Sequence, residues 1–306
     1  MSFGTTVMQI MSLFLIMVVG YVLRKTNVFD EAANVRFTRL IIYVSLPSQI
    51  IKAFATSQGV VSDREVLLMF GISALTFLLY AIIGALFIII FRVSSDKKGI
   101  YLFMMMFGNV GFMGFPLTEA LLGEEALIYA VIFNVIFNLL VYSLGIFMIS
   151  KTEEEFKFPI KKLLNVPLIS ACLSIVLYFC KIQLPNVVVQ SLEYMGNITT
   201  PVAMLILGST IAGMAWKELF DEWRIYIFTI FKLLLIPMIV IIILRFIPNL
   251  NPLIIGSLVL LSATPVATNT TMLAIEYGGD RKLASKGVFF TTLLCMLTIP
   301  LIQMLV

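Results

Sequence analysis

Long apolar runs separated by short polar stretches follow one another along the whole chain. A run of about 17 to 25 apolar residues is the length that an α-helix needs to cross a lipid bilayer. The pattern contains ten such runs and therefore predicts an all-α polytopic membrane protein. We place the ten predicted spans at residues 5–23, 37–56, 65–91, 99–121, 126–149, 165–181, 189–214, 223–247, 252–275 and 282–305.

Composition supports the same class, because 60% of the residues are hydrophobic and 12% are charged, unlike an ordinary soluble domain. No charged segment precedes the first run, and Arg24 and Lys25 follow it. We therefore expect a retained first helix rather than a cleaved signal. Cys172, Cys180 and Cys295 all fall inside apolar runs, so we expect them to act as small hydrophobic side chains and to form no disulfide, metal site or cofactor site.

Basic residues are distributed unevenly between the two sides of the predicted membrane. Sixteen Lys and Arg residues, from Arg24 to Lys286, lie in the loops after the odd-numbered spans. The loops after the even-numbered spans hold four: Lys52, Arg64, Lys181 and Arg245. By the positive-inside rule the first set is cytosolic. An even number of spans then places both termini on the external face of the membrane.

Two of the predicted spans are interrupted in a related way. The sequences are GNVGFMGFPL at residues 108–117 and SATPVATN at residues 262–269. Because proline lacks an N–H and clashes with the carbonyl four residues back, we expect the helix to open just before Pro116 and Pro265. Each proline would begin a new half-helix, with Thr264 as the N-cap of the second. A paired break of this kind indicates the binding site of a secondary transporter.

Proline spacing indicates an internal repeat. Pro47 and Pro201 are 154 residues apart, and Pro116 and Pro265 are 149 apart. Two five-span halves, residues 1–150 and 151–306, therefore align with a near-constant offset and would have opposite orientations in the membrane. The alternative is coincidence, because proline is frequent in membrane helices.

The residues around the breaks favour an anionic ligand. The N-termini of two half-helices carry free amides and a partial positive charge, which suit a carboxylate. Asn109, Thr264, Thr268 and Asn269 add donors and acceptors beside the opened backbone. Gly111 and its neighbouring glycines allow close approach of the two backbones, or belong to ordinary helix packing.

Four further polar residues lie inside apolar spans. Asn134, Asn138 and Tyr142 recur at intervals of four and share one helix face; they either join helices or line the cavity. Lys232 lies near the middle of the eighth span, where a charge is expensive and indicates function. It is a counter-ion for the substrate, a partner for a carboxylate, or a side chain that extends to the interface.

Catalysis has little support in the sequence. The chain contains no histidine, and GSTIAGMA at residues 208–215 lacks the lysine of a nucleotide-binding loop. We therefore expect neither an enzyme nor an ATP-driven pump. Glu119 and Glu276 follow the two breaks and are candidates for proton coupling, or lie at the membrane interface.

Several segments together resemble the auxin efflux carrier family of permeases, in its microbial organic-anion transporter form. They are LPSQIIKAFA at 46–55, GNVGFMGFPL at 108–117, LGEEALIYAV at 122–131, FKLLLIP at 231–237 and TPVATNTTMLAIEYGGDRKLASKG at 264–287. The resemblance implies ten helices in a 5+5 inverted repeat with crossing, broken helices 4 and 9, as in the bile acid sodium symporter fold. It also implies a homodimer. The crossover prolines correspond to Pro116 and Pro265, with Asn109, Asn138 and Tyr142 as polar neighbours.

The leading hypothesis is a multi-pass carrier of the cell membrane. It moves a small organic anion, such as a mono- or dicarboxylate, by alternating access within the lipid bilayer, with a proton or sodium ion as a possible coupling ion. Nucleic acid is not an expected partner. Two alternatives stay open: a ligand- or lipid-binding membrane sensor without turnover, and an anion channel.

Overall fold

The computed structural model of the protein describes residues 3–57, 61–150, 165–213 and 222–305, and its regular elements there are helices. The first eight α-helices are α1 (Phe3–Lys25), α2 (Glu31–Leu40), α3 (Leu46–Ser57), α4 (Asp63–Ile90), α5 (Ser95–Met106), α6 (Phe115–Leu122), α7 (Leu127–Leu140) and α8 (Ile146–Ile149). They are followed by α9 (Val166–Phe179), α10 (Asn186–Gly196), α11 (Thr199–Ala212), α12 (Arg224–Ile230), α13 (Ile236–Arg245), α14 (Pro252–Ser262), α15 (Thr270–Glu276) and α16 (Arg281–Gln303).

Polar side chains determine where several of these helices begin. The Asp30 carboxylate accepts a hydrogen bond from the Ala33 amide at 2.7 Å, and the Asp280 carboxylate accepts one from Leu283 at 3.0 Å. The Asn165 side chain caps α9 in the same way. Such caps satisfy backbone donors that have no partner within the helix.

Within the described residues, four π turns, in which the backbone is wound more loosely, interrupt the apolar helices. They cover Ile41–Ser45, Val110–Gly114, Val141–Gly145 and Phe231–Leu235. Three of them lead into a helix whose second residue is a proline: Pro47, Pro116 or Pro237. A π turn accommodates the proline ring and its missing N–H without ending the helix. These prolines therefore lie in helices that continue through them.

Seven helical segments of the described chain are long and apolar enough to cross a membrane. They are Met8–Lys25, Glu31–Ser57, Asp63–Ile90, Glu124–Ile149, Asn186–Ala212, Arg224–Arg245 and Arg281–Gln303. Each coincides with one of the predicted spans. Three shorter apolar helices, Val110–Leu122, Val166–Phe179 and Pro252–Ser262, overlap the remaining predicted spans. The chain is thus a multi-pass membrane protein, while the count of ten spans and their inverted repeat stay predictions.

The chain forms two compact units that are not successive in sequence. The first consists of Met1–Phe70, Gly111–Val135 and Leu164–Gly213, and the second of Gly71–Val110, Ile136–Leu163 and Met214–Val306. In the first unit α1 packs against α11 at very close range. A Cβ atom added to Gly208 would lie 1.8 Å from the Met17 carbonyl oxygen, and one added to Gly20 would lie 2.2 Å from the Leu205 carbonyl oxygen. Small residues allow membrane helices to approach this closely.

Aromatic side chains fill the interior of the second unit. The fully buried ring of Phe87 contacts Tyr101, Phe228 and Phe231, with centroids 5.4 to 5.9 Å apart. Edge contacts of this kind add to the energy of packing. They connect α4, α5 and the helix that contains the Phe231–Leu235 π turn.

Candidate functional site

The first interruption begins where α5 ends at Met106. Phe107 has extended backbone angles, φ −109° and ψ 101°, and donates its amide to the Phe103 carbonyl as the last helical bond. Gly108 and Asn109 follow, and the chain returns to helical geometry at Val110. A Cβ atom on Gly108 would lie 2.4 Å from the Thr264 hydroxyl oxygen. Glycine is therefore required by the closeness of the second interrupted segment.

The second interruption begins after Ser262. The Ser262 hydroxyl donates to the Val259 carbonyl at 2.7 Å, and the Thr264 hydroxyl donates to the Leu261 carbonyl at 2.6 Å. These bonds satisfy carbonyls at the end of α14. Thr264 was expected to be the N-cap of the next half-helix, and this expectation is wrong. The helix restarts at Thr270, because Pro265 lies in an extended segment that pairs with another part of the chain.

The two interrupted segments meet as a short antiparallel pair between Gly108 and Val266. The backbone amide of Asn109 donates to the Pro265 carbonyl at 2.7 Å, and the backbone amide of Ala267 donates to the Phe107 carbonyl at 3.1 Å. We call the paired segments, residues 107–109 and 265–267, the crossover. The predicted contact between the two breaks is thus observed, and both segments belong to the second compact unit. The pairing satisfies backbone groups that could not form hydrogen bonds with bilayer lipids.

The same bonds correct the expected role of the backbone amides. The amides of Asn109 and Ala267 donate to crossover carbonyls, and the Val266 amide donates to the Thr291 hydroxyl at 2.9 Å. These three amides are therefore occupied by the protein and are not the free anion donors that the sequence suggested. Side chains beside the crossover are therefore considered first as ligand-binding groups.

Pro116 was expected to open the helix and to begin a half-helix. It is instead the buried second residue of α6, preceded without a break by the Val110–Gly114 π turn. The opening lies at residues 107–109, because the looser winding of the π turn accommodates the missing N–H of Pro116. Gly111 belongs to this π turn, and a Cβ atom there would make only an ordinary contact, 3.9 Å from Leu46.

Lys232 is completely buried in the Phe231–Leu235 π turn. Its ammonium group donates to the Met105 carbonyl at 3.0 Å and lies 5.2 Å from the centre of the Tyr80 ring. The expectation that it extends to the membrane interface is therefore wrong. Met105 is in the last turn of α5, whose carbonyls have lost their helical partners, so the ammonium group stabilises the negative end of this half-helix. Cation–π attraction to Tyr80 adds to the stabilisation.

The other predicted site residues lie at different depths. Asn109, Thr264 and Pro265 are buried at the crossover, while Thr268 and Asn269 follow it and are half-buried. The structure therefore brings these five residues into one short region of the second unit. It places them within three residues of the paired backbone.

Span 5 carries the remaining polar positions. Asn134 and Asn138 are buried in α7, and Tyr142 is half-buried in the Val141–Gly145 π turn. Asn134 belongs to the first compact unit, as do Gly111 and Pro116, whereas Asn138 and Tyr142 belong to the second. Their role in a cavity stays a prediction. The backbone of Glu276 ends α15, and its side chain lies outside the described structure.

Sequence reasoning missed two groups of functional candidates. One is Thr291, whose hydroxyl supports the crossover and which could have been noticed as a polar residue in an apolar span. The other is a polar cluster of the first unit, in which Glu119 accepts hydrogen bonds from Gln49 and Thr200. Glu119 was a candidate from its position, but nothing in the local sequence indicates its two partners.

Known proteins resemble this chain along almost its whole length. A family model described as membrane transport protein matches residues 5–303. The chain is 29% identical over 311 residues to an uncharacterized transporter of Methanocaldococcus jannaschii, covering 96% of this chain and 97% of that protein. It is 24% identical to an uncharacterized transporter of Methanothermobacter thermautotrophicus, covering 98% of each.

A further relative has a more specific name. It is a putative malonate transporter of Rhizobium meliloti, 23% identical over 267 residues, with 85% of this chain and 82% of that protein covered. Relatives and family model agree on transport across a membrane, and they confirm the resemblance that the sequence segments indicated.

Proposed function

This chain belongs to the membrane transport protein family, and from that premise we propose that it is a secondary active transporter of a small organic anion. A mono- or dicarboxylate binds beside the crossover and crosses the bilayer by alternating access. Malonate is the first substrate to test, because a relative is named a putative malonate transporter.

The observation that carries the proposal is the pairing of two interrupted segments within otherwise apolar spans. Irregular backbone at membrane depth is typical of transporter binding sites, where it lies against protein or a wet cavity. The hydrogen bonds from Asn109 to Pro265 and from Ala267 to Phe107 hold the two segments together. The crossover is therefore a fixed frame beside which side chains can bind a ligand.

The preference for an anion rests on the side chains around this frame. Lys232 provides a buried positive charge at the end of α5, where its ammonium group donates to the Met105 carbonyl. Met105 lies three residues before Gly108 in the sequence. An ammonium group has three N–H donors, and one of them meets the Met105 carbonyl. Asn109, Thr268 and Asn269 carry amide and hydroxyl groups that can donate to a carboxylate.

The proposal includes the architecture expected from the sequence. Ten spans form a 5+5 inverted repeat, with residues 1–150 and 151–306 as its halves and with spans 4 and 9 crossing at the interrupted segments. The protein is a homodimer of the cell membrane with both termini outside. A coupling ion, proton or sodium, drives the cycle.

Uptake of radiolabelled malonate into proteoliposomes tests the proposed function. We expect saturable uptake by the unaltered protein and a raised KM for Asn269→Ala, which removes a donor beside the crossover. Asn186→Ala is the matched control, since Asn186 is exposed at the start of α10. Absence of uptake of malonate and of a panel of other mono- and dicarboxylates would overturn the proposal.

A further inference from the structure

A polar cluster of the first compact unit has no role in the proposed anion site. Its centre is Glu119 on α6, which is partly buried. The Glu119 carboxylate accepts a hydrogen bond from the Gln49 side-chain amide at 3.0 Å and one from the Thr200 hydroxyl at 3.3 Å. Three helices, α3, α6 and α11, therefore converge on one carboxylate.

The junction between α10 and α11 makes this convergence possible. A Cβ atom on Gly196, the last residue of α10, would lie 3.2 Å from the Gln49 Cα atom, so the two backbones nearly touch. The helix is interrupted at Asn197 and restarts at Thr199. Thr199 and Thr200 therefore follow closely after the point where α10 contacts α3 at Gln49.

Three buried side-chain oxygens, one on Gln49 and two on residues that adjoin Glu119 and Thr200 in sequence, lack hydrogen-bond partners among the described residues. They are Oε1 of Gln49, Oγ1 of Thr118 and Oγ1 of Thr199. Gln49 is 3% exposed, and both threonines are fully buried. The Gln49 oxygen belongs to the amide group that already contacts Glu119, and each threonine adjoins a member of the cluster in sequence. Leaving such groups unsatisfied costs about 1–3 kcal/mol each, so a ligand that contacts them would be favoured.

The charge of the cluster favours a positively charged partner. Lys52, one turn after Gln49 on α3, donates to Glu124 at 2.9 Å and lies 3.4 Å from Glu193. With Glu119, the cluster contains three carboxylates and one ammonium group. Lys52 is directed at the other two carboxylates, so Glu119 is left with neutral donors alone among its described contacts.

The available ligands define the class of cation. All of them are oxygens: one carboxylate, one amide carbonyl and threonine hydroxyls. Hard oxygen ligands suit alkali and alkaline-earth cations, whereas transition metals prefer nitrogen and sulfur. Divalent calcium sites usually contain several carboxylates, and here a single carboxylate is in direct contact with the amide and hydroxyl groups. A monovalent cation matches this ligand set.

We propose that Glu119, Gln49 and Thr200, together with the flanking Thr118 and Thr199, form a sodium-binding site. The sodium ion would join the carboxylate to the amide and hydroxyl oxygens and so tie α6 to α3 and α11. The inference rests on the proposed function, since the secondary active cycle proposed above uses a coupling ion. It assigns that ion to a place separate from the residues of the crossover.

Binding of radioactive sodium to the detergent-purified protein tests the inference without any transport measurement. We expect saturable binding that potassium and choline compete for poorly. Glu119→Gln should weaken it about tenfold or more, because the ion loses its only charged ligand. Thr200→Val should weaken it less, and Glu125→Gln, at an exposed carboxylate nearby, should leave it unchanged.

Thermal unfolding provides a second readout and checks that the variants fold. Sodium should raise the apparent Tm of the unaltered protein and of Glu125→Gln relative to choline at equal ionic strength, because a ligand that binds the native state stabilises it. The increase should disappear in Glu119→Gln and shrink in Thr200→Val. If Glu119→Gln does not fold, the comparison of Thr200→Val with Glu125→Gln decides the question.

Three results would overturn the inference: no sodium-specific binding, equal binding by Glu119→Gln, or an effect of pH on stability that is independent of sodium and disappears in Glu119→Gln. The last would indicate a proton on Glu119 instead of a metal ion. Malonate uptake without sodium binding would support the proposed transporter function and exclude this sodium site. Sodium binding without malonate uptake would support the site and count against the substrate.

Discussion

Lys232 has a structural partner that explains why a charge is retained inside an apolar helix. Its ammonium group meets the Met105 carbonyl in the last turn of α5, where the interruption of the helix has removed the usual backbone donors. A cation at this end also opposes the negative pole of the helix dipole. The residue therefore links the break in one helix to the π turn of another.

Replacing Lys232 by methionine should lower the apparent Tm measurably, because a buried carbonyl loses a charged hydrogen-bond donor, a loss of about 1.5–3 kcal/mol. Thermal unfolding of the purified variant measures the effect, with Lys98→Met at an exposed lysine as the control. If Lys232 acts solely as a substrate counter-ion, the variant will unfold like the unaltered protein and differ from it in malonate affinity alone.

Gly108 makes the closest contact of the crossover. In Gly108→Ala the new methyl group would lie 2.4 Å from the Thr264 hydroxyl oxygen, so we expect a loss of stability of about 1–3 kcal/mol. Thr264→Ala removes the obstructing atom but also the hydrogen bond to the Leu261 carbonyl. The double variant should consequently be more stable than the sum of the single effects predicts. If the losses of stability of the two single variants add up to that of the double variant in thermal unfolding, the contact between Gly108 and Thr264 is refuted.

At the scale of elements, the packing of α1 against α11 depends on two glycines. Gly208→Ala should destabilise the protein by about 1–3 kcal/mol, because its methyl group would lie 1.8 Å from the Met17 carbonyl oxygen. Gly71→Ala on α4 is the matched control, since no atom lies within 4 Å of the added group there. The control should be neutral or slightly stabilising through helix propensity. Equal apparent Tm values for both variants would exclude close backbone packing.

The start of α12 is joined to the start of α5 by an ion cluster at the ends of the predicted spans. Glu222 pairs with Lys97 and with Arg224, and Arg224 also donates to the Phe91 carbonyl at 3.0 Å. Burial by itself would raise the pKa of Glu222, but the hydrogen bonds from Lys97 and Arg224 hold it below its ordinary value of 4.5. The hydrogen bond to Glu222 raises the pKa of Lys97 above its ordinary value of 10.5.

These shifts predict how the cluster contributes to stability at different pH values. A lowered carboxyl pKa stabilises the fold above pH 4.5, and the contribution is lost as the pH falls through the lowered pKa. A raised lysine pKa stabilises it below pH 10.5, and that part is lost as the pH rises through the raised value. Glu222→Gln should therefore show a smaller drop in apparent Tm on acidification than the unaltered protein. Parallel curves for the two proteins would contradict the assignment.

The sequence predicted the elements of this fold better than their interruptions. Apolar runs located the long helices, and the proline-containing segments correctly identified the two spans that break. The position of the first break was wrong, because Pro116 follows a π turn that absorbs its missing N–H, whereas the second helix does end just before Pro265. The pairing of Gly108 with Val266 joins segments more than 150 residues apart, and local sequence carries no signal for it. The contacts of Glu119 with Gln49 and Thr200 were missed for the same reason.

For the whole molecule, the distribution of basic residues predicts the orientation in the membrane. Single cysteines introduced at Lys98 and at Asn249 should lie on opposite sides, because the first follows an odd-numbered span and the second an even-numbered one. A membrane-impermeant maleimide added to intact cells should label the cysteine at position 249 and leave that at 98 unlabelled until the cells are opened. The background variant lacks the three native cysteines. The reverse labelling would place both termini in the cytosol.

The central claim is that this protein carries a small organic anion past the crossover by alternating access, and counterflow tests it most directly. Proteoliposomes loaded with unlabelled malonate are diluted into medium that contains a trace of labelled malonate. A carrier should accumulate the label transiently above its equilibrium level, and Asn109→Ala should reduce that accumulation while Asn186→Ala does not. Equilibration of the label without any overshoot, or no entry for any carboxylate tested, would contradict the account.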